Sequence, residues 1–465
     1  MSLLARHAPA DPVAVGEAGT LTAAELLSRA GAVAAALRAL GPGPVVLLAE
    51  DRAHFAAGLL GAWSAGRVVQ LPPSTAPAAV EALARRAAAL MHDQLRPAPA
   101  GVTVVDLSSG GAVGDSCARP SASQVSGVAG LGPAGESPSR RLLPLPSDAA
   151  LVLHTSGSSG EPLAIRKGAG QLVGEALALV LAFGLDGARV APTVPSHHIY
   201  GLLWGVVVPL VSGGAFLRET PLHAETVAAA LRRHALDVLV SAPAHLRGLL
   251  ALERGSLPRL RRAISSGAPL PPATAAALSD AQGLAVTEVL GSTETGGVAW
   301  RLSPGEDDGW TPLPGVRLDL DAGLLTVDAP WLDPDGPRPH RLADRGERLP
   351  HGRVRHLGRD DGVVKVAGKR VALLEVERAL LALSGVADAA VLALPGDEAR
   401  GVELGALVVA PGRDAAALRT ELAAWLDPTA IPRRLVLLDA LPRAPTGKLP
   451  RAAALAALAG PGRTA

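Results

Sequence analysis

Four lysines stand among the 44 Lys and Arg residues of this 465-residue chain, and three of them, Lys365, Lys369 and Lys448, fall in its last quarter within short glycine-bearing runs. Arginine carries the positive charge almost everywhere else. A compact, hydrated ammonium on a flexible stem differs from a planar guanidinium wherever a single oxygen must be reached. These three lysines are therefore candidates for chemistry, and Lys167 is read as incidental. Lys448 lies in LPRAPTGKLPR (441–451), a Pro/Gly-bounded turn that can present a long cation to an anion. Lys365 and Lys369 lie in GRDDGVVKVAGKRVALLEVE (358–377).

Three further runs carry polar groups that could do chemistry. The apolar ALVLH (150–154) leads into TSGSSGEP (155–162), where glycines free backbone N–H groups to face an anion and Thr155, Ser156, Ser158 and Ser159 offer hydroxyl donors to phosphate oxygens. GSTETGG (291–297) sets Glu294 beside Thr293 at a strand end, and a carboxylate among hydroxyls suits Mg²⁺, which is commonly shared with substrate phosphates. PSHHIYG (195–201) holds His197, His198 and the single tyrosine, Tyr200. Without further ligands at metal-binding spacing, the histidine pair reads as the lining of an organic pocket. Neither a Walker A loop nor a GxSxG elbow occurs, and the GxGxxG of Gly130, Gly132 and Gly135 has no strand before it and Pro133 inside it.

The elements that must position these runs alternate as in a parallel α/β sheet. Residues 21–40 predict a helix, PVVLLAE a buried strand, 53–65 a helix, VVQLPP a strand, 170–184 a helix, and DVLVSAP and 284–290 strands. Residues 108–140, rich in Gly, Ser, Pro and Ala, read as a flexible excursion. Shorter strands between Pro, Gly and Asp turns over 310–356 predict a small β portion, followed by a compact α+β domain. The fold class expected is thus α/β: a large N-terminal domain, 1–358, and a small C-terminal domain, 359–465, joined by a hinge. The uncharged stretch Ile199–Leu217 is long enough to span a bilayer, but Gly201, Gly205, Pro209, Gly213 and Gly214 divide it into a buried helix, a turn and a short strand. A formal net charge of +1 gives no reason to expect nucleic acid as a partner. One cysteine, Cys117, leaves no intrachain disulfide and fits a reducing compartment, and the N-terminus lacks a signal pattern, so a cytoplasmic protein without membrane insertion is expected.

Taken in order and spacing, TSGSSGEP, PSHHIYG, SSGAPL (265–270), GSTETGG, the Asp344 region, GRDDGVVKVAGKRV and PTGK resemble the adenylate-forming superfamily of acyl-CoA and aryl-CoA synthetases, peptide-synthetase adenylation domains and luciferases. The resemblance implies a two-step ligase: a small-molecule carboxylic acid attacks the α-phosphorus of Mg-ATP, and the thiol of CoA or of an acyl carrier protein then displaces AMP. It implies that Thr155, Ser156, Gly157, Ser158, Ser159 and Gly160 hold the β- and γ-phosphates, Glu294 holds Mg²⁺ and Thr293 meets the α-phosphate. Gly267, Ala268, Pro269, Leu290, Gly291 and Ser292 would border the nucleotide. Asp344 and Arg359 would hold the ribose, and His198 would line the acyl pocket. Lys448 would bridge carboxylate and α-phosphate, Asp361 would be the hinge, and Lys365, Gly368 and Lys369 would approach the pantetheine thiol.

The chain departs from the family pattern at three places. Pro162-Leu163 stands where Pro-Lys is usual, with Arg166 or Lys167 as conceivable substitutes; Leu290-Gly291 replaces a Tyr-Gly whose ring stacks on adenine; and Leu342-Ala343-Asp344 replaces Thr-Gly-Asp. The chemical groups are spared, so an active enzyme with a raised KM for ATP is expected. The alternative is a degenerate nucleotide-binding protein acting as a binding partner. GSTETGGVAWR, the AIRK after the phosphate loop and the short chain are similar to the stand-alone ligases of aryl-polyene and xanthomonadin-type clusters, which implies an aromatic or unsaturated acid.

Overall fold

The computed structural model describes residues 3–73, 75–94, 100–109, 112–115, 145–156, 162–305, 307–359, 362–366, 369–395, 402–423, 426, 428–445, 447–460 and 463–464. The chain forms two compact units, Met1–Val240 with Leu257–Arg261, and Ser241–Ser256 with Arg262–Ala465.

In the first unit Val45–Leu48, Val69–Leu71, Ala89–His92, Thr103–Asp106 and Ala150–Ser156 (β1) run parallel within a seven-stranded sheet. Ala112–Asp115 and Pro162–Gly168 (β2) close its two edges antiparallel. Continuous apolar runs such as VVLL suit a parallel sheet buried on both faces. The helix Ala23–Arg38 starts at a capping box, with Thr22 Oγ1 accepting from Glu25 N and Glu25 Oε2 accepting from Thr22 N at 2.8 Å. It buries Leu26, Val33 and Leu37, each contributing about 1.5–3 kcal/mol of transfer free energy. The stretch read as a flexible excursion contains the short strand Ala112–Asp115; the rest of it from 110 to 140, including the GxGxxG and Cys117, lies outside the described residues.

The uncharged stretch divides into helix, turn and strand as expected, but Gly201, Gly205 and Pro209 do not break the helix: Ile199–Leu202, a π-helical turn Leu203–Val207 and Val208–Ser212 run on without a gap, and the interruption comes at Gly213, φ +80°, before strand Ala215–Leu217. No helix among the described residues is long and apolar enough to cross a membrane. A buried cation braces this region. Arg52, fully buried, donates to the carbonyls of Leu217 (2.7 Å), Glu219 (2.9 Å) and Val194 (3.0 Å) and to Thr220 Oγ1 (3.0 Å). Burial lowers its pKa to about 10, so it remains charged at neutral pH. The Val194 carbonyl that it holds immediately precedes PSHHIYG.

In the second unit Arg262–Ser265 (β3) and Val286–Ser292 (β4) are parallel neighbours, and β4 turns back into Gly296–Ser303 (β5). The expected small β portion follows as antiparallel strands: Gly309–Pro312, Arg317–Asp321, Leu324–Asp328, His340–Arg348 (β6) and Val354–Arg359 (β7). The hairpin Val363–Val366/Lys369–Ala372 leads to a four-stranded sheet of Asp388–Pro395 (β8), Val402–Val409, Arg434–Leu437 and Arg463–Thr464. Alternation puts Val391, Leu404, Ala406 and Val408 in one apolar cluster with the helices Leu373–Ala382 and Ala415–Leu422. The opposite parity, Ala390, Leu392, Leu407 and Val409, packs on the helix Arg451–Ala459. The expected boundary at 358/359 lies inside this second unit.

Candidate functional site

The second unit gathers most of the residues singled out in the sequence. Because β3 and β4 are parallel, with Ser265 opposite Glu288, the loops at their carboxyl ends lie side by side. Ligands of open α/β sheets bind at such an edge. One loop is Ser266–Leu270, with Gly267 exposed at φ +89°, Ala268 half-buried and Pro269 exposed; the other is the hairpin from Leu290 to Gly296. Ser266 Oγ donates to the Val289 carbonyl at 2.8 Å, tying the first loop to β4. A buried carboxylate completes the join. Glu288, 2% exposed, accepts from Leu270 N (2.9 Å), Arg301 Nε (2.7 Å) and Ser303 Oγ (2.6 Å), and Arg301 lies 4.6 Å over the Trp310 ring.

The hairpin tip is set by its own hydroxyls. Ser292 N donates to Thr295 Oγ1 (3.3 Å), Thr295 N to Ser292 Oγ (3.2 Å), and the two hydroxyls are 3.1 Å apart. The closed turn holds Thr293 buried and Glu294 half-buried between them. Gly291 has no room for a side chain, since a Cβ there would stand 2.4 Å from the Gly296 carbonyl oxygen.

Asp344 on β6 and Arg359 on β7 are cross-strand partners, so two residues fifteen apart in sequence share one spot on the sheet. Asp344 Oδ1 is 2.7 Å from His356 Nε2. The histidine orients the carboxylate and was not singled out from the sequence, where nothing distinguishes it from eleven other histidines. Lys448 is exposed on a tight turn: Ala444 N donates to the Lys448 carbonyl (2.7 Å) and Gly447 N to the Ala444 carbonyl (2.8 Å), with Gly447 at φ +79°. A Cβ on Gly447 would meet Ala242 Cβ at 3.0 Å, so the turn rests against the residue that precedes the helix Pro243–Gly248 (α1). Lys365 and Lys369 sit on facing strands, opposite Arg370 and Val366 respectively. Asp361 and Gly368 lie outside the described residues.

In the first unit, β1 and β2 enter and leave the serine-rich loop, with Thr155 opposite Leu163 and Ser156 opposite Pro162; Gly157, Ser158, Ser159 and Gly160 lie outside the described residues. The returning strand was not foreseen, and it corrects the suggestion that Lys167 replaces the missing loop lysine. Lys167 is buried opposite Leu151, five residues along β2 from Pro162. At about 3.3 Å per residue that is the far end of the hairpin. Arg166 donates to the Asp148 carbonyl at the same end. His197 and His198 pack with ring centroids 4.2 Å apart, and burial lowers the His197 pKa to about 4, leaving it neutral. Among the described residues no group of three or more His, Cys, Asp or Glu is disposed to hold a metal ion.

The profile of the AMP-binding enzyme family matches residues 4–326, and that of the AMP-binding enzyme C-terminal domain matches residues 375–448. The chain belongs to the AMP-binding enzyme family. It is 36% identical over 310 residues to a 4-coumarate–CoA ligase of Rhodobacter capsulatus, covering 64% of this chain and 74% of that one. Against a benzoate–CoA ligase of Thauera aromatica it is 30% identical over 350 residues, covering 66% and 65%. Its fold is that of ATP-bound MatB from Rhodopseudomonas palustris, with a TM-score of 0.77 at 23% identity and 97% of each chain covered.

Proposed function

We propose that this chain is an ATP-dependent carboxylic acid–thiol ligase that activates an aryl or aryl-propenoic acid as its adenylate and passes the acyl group to CoA. The observation that carries the reading is the second unit itself, which holds the Glu294 hairpin, the Asp344–Arg359 cross-strand pair and the Lys448 turn in one compact body. The aryl preference rests on the kinship with ligases of 4-coumarate and benzoate.

In this reading Asp344, oriented by His356, accepts hydrogen bonds from the ribose hydroxyls, and Arg359 donates to the same sugar. Loop Gly267–Pro269 and residues Leu290–Ser292 border the base. The turn that holds Glu294 and Thr293 supplies hard oxygen donors, which fit Mg²⁺; bound there, the ion would neutralise phosphate charge. Thr293 donates to the α-phosphate, and the loop from Thr155 to Gly160 takes the β- and γ-phosphates. The acid's carboxylate oxygen attacks the α-phosphorus and pyrophosphate leaves, while the Lys448 ammonium stabilises charge on the carboxylate and α-phosphate oxygens. One such donor is worth about 2.7–4 kcal/mol. In the second step the thiolate attacks the acyl carbon and AMP leaves with the C–O electron pair. His198 lines the acyl pocket, residues 359–465 turn about Asp361 between the steps, and the Lys365–Lys369 hairpin, through Gly368, meets the pantetheine arm. An acyl carrier protein is the other acceptor of the same chemistry.

Pyrophosphate release from Mg-ATP, measured across benzoic, cinnamic and fatty acids with hydroxylamine as acceptor, tests the reading. Release with aryl acids at rates well above fatty acids is expected. Silence across the panel with ATP still bound would mark a non-catalytic nucleotide-binding protein instead. Lys448→Ala should slow adenylate formation roughly 10²–10³-fold while leaving thioester formation from a preformed adenylate intact.

A further inference from the structure

The Lys448 turn is secured by a charged cluster of which only Arg443 lies in the run 441–451. Asp388, at the start of β8 and only 6% exposed, takes both arms of Arg443, Nε at 3.1 Å and Nη2 at 2.9 Å. Its Oδ1 also accepts from Ala389 N at 2.9 Å. The third nitrogen of the same guanidinium, Nη1, donates to the Gly447 carbonyl at 3.2 Å. Arg247, at the end of α1, reaches the same carboxylate at 3.3 Å and donates to the Ala387 carbonyl at 3.0 Å.

Each bond bears on where Lys448 points. The carbonyl of Gly447 belongs to the peptide whose nitrogen is that of Lys448, and the carbonyl of Lys448 is held by Ala444 N at 2.7 Å. Both peptide planes flanking the lysine's Cα are therefore fixed, one of them through Arg443. Asp388 in turn fixes Arg443, since a bidentate fork has one geometry. Arg247 extends the network to α1, whose preceding residue Ala242 is the surface on which Gly447 rests. A lysine could not replace Arg443, because a point charge cannot satisfy a carboxylate in two places and a carbonyl in a third.

We infer that Arg443, locked by Asp388 and braced by Arg247, is a positioning residue that sets the direction of Lys448 for the adenylation half-reaction. The inference rests on the ligase reading for its kinetic consequence. Arg443→Ala should lower kcat for pyrophosphate release roughly 10²-fold, the usual effect of a misplacement of about 1 Å. The KM values for acid and ATP should stay within about twofold, and the rate of thioester formation from a preformed adenylate should be unchanged. In a Lys448→Ala background the same substitution should cost nothing further, because the group it positions is gone. Arg443→Lys should recover less than a tenth of the lost rate. Equal loss in both half-reactions, or an additive loss with Lys448→Ala, would overturn the inference in favour of a structural role. Hydrogen exchange separates its failure from that of the ligase reading. In Arg443→Ala the amides of Ala444 and Gly447 should lose protection while the strands Asp388–Pro395 and Val402–Val409 keep theirs. Unchanged protection sinks the inference even if wild-type protein releases no pyrophosphate, and lost protection in such a protein upholds the positioning contact while the ligase reading falls.

Discussion

Single residues divide into those that offer a chemical group and those that aim it. In the proposed reaction Lys448, Glu294 and Asp344 are of the first kind; of the second, His356 bonds Asp344 directly, Ser292 and Thr295 bond each other across the turn that carries Glu294, and Arg443 bonds the Gly447 carbonyl next to Lys448. Leu290 is a third case, a position where a group is missing. It is half-buried on β4 beside the exposed Gly291, at the carboxyl edge where the nucleotide is proposed to lie. Base stacking on an aromatic ring is worth roughly 1–3 kcal/mol. Leu290→Tyr should therefore lower the KM for ATP by roughly 5- to 150-fold with little change in kcat, as steady-state pyrophosphate release would show. An unchanged KM would mean that the base does not meet this side chain.

At the scale of elements, the β4–β5 hairpin is the part on which the proposed chemistry depends most directly. Its turn is closed by reciprocal Ser292–Thr295 hydrogen bonds, its base by the buried Glu288 with Arg301 and Ser303, and its crossing by the absence of a side chain at Gly291. Gly291→Ala would drive a methyl to 2.4 Å from the Gly296 oxygen, which is backbone and cannot swing aside. Overpacking of this kind costs about 1–3 kcal/mol. A fall of several degrees in Tm is expected, together with a loss of adenylation larger than the stability change explains, because the displaced turn carries Thr293 and Glu294. Thermal denaturation alongside pyrophosphate release checks both, and full activity with an unaltered Tm would show that the hairpin opens to accept the methyl.

Across the whole molecule two buried groups give stability opposite dependences on pH. His197 titrates near 6.5 in an unfolded chain and at about 4 in the fold. Its contribution is complete above about pH 6.5 and is lost as pH falls through 4, a change on the order of 3 kcal/mol. Glu377, whose Oε1 accepts from Val391 N at 2.8 Å, is pushed by burial from 4.5 to about 7, the nearby Asp388 adding to the rise and Arg443 opposing it. Its contribution is complete below about pH 4.5 and is lost as pH rises through 7. The two limbs overlap between about pH 4.5 and 6.5 and offset each other there, so these two groups together leave stability nearly level over that range and lower it on either side. Urea midpoints from pH 4 to 8.5 should show His197→Gln uncovering a decline from about pH 4.5 to 7 and Glu377→Gln uncovering a rise from about pH 4 to 6.5. A mutant that keeps the wild-type pH profile would show that another group governs that limb.

The sequence by itself determined the local elements and named the candidates for the reacting groups. Helices Ala23–Arg38 and Arg52–Ser64, the apolar parallel strands and the helix-turn-strand course of Ile199–Leu217 follow from periodicity and from Gly and Pro punctuation, which act over a few residues. Glu294 and Lys448 stood out as candidates because their runs are short and chemically unusual. Only the tertiary structure decided the partners. Asp344 meets His356 across a strand pair, Glu288 meets Leu270 and Ser303 from three segments, and Asp388 joins Arg247 to Arg443 over gaps of 141 and 55 residues. It also decided that Lys167, near the phosphate loop in sequence, stands at the other end of a hairpin. A strand's own alternation fixes which face each side chain takes, but the side-chain partners of a polar residue come from segments far along the chain, which no local pattern names.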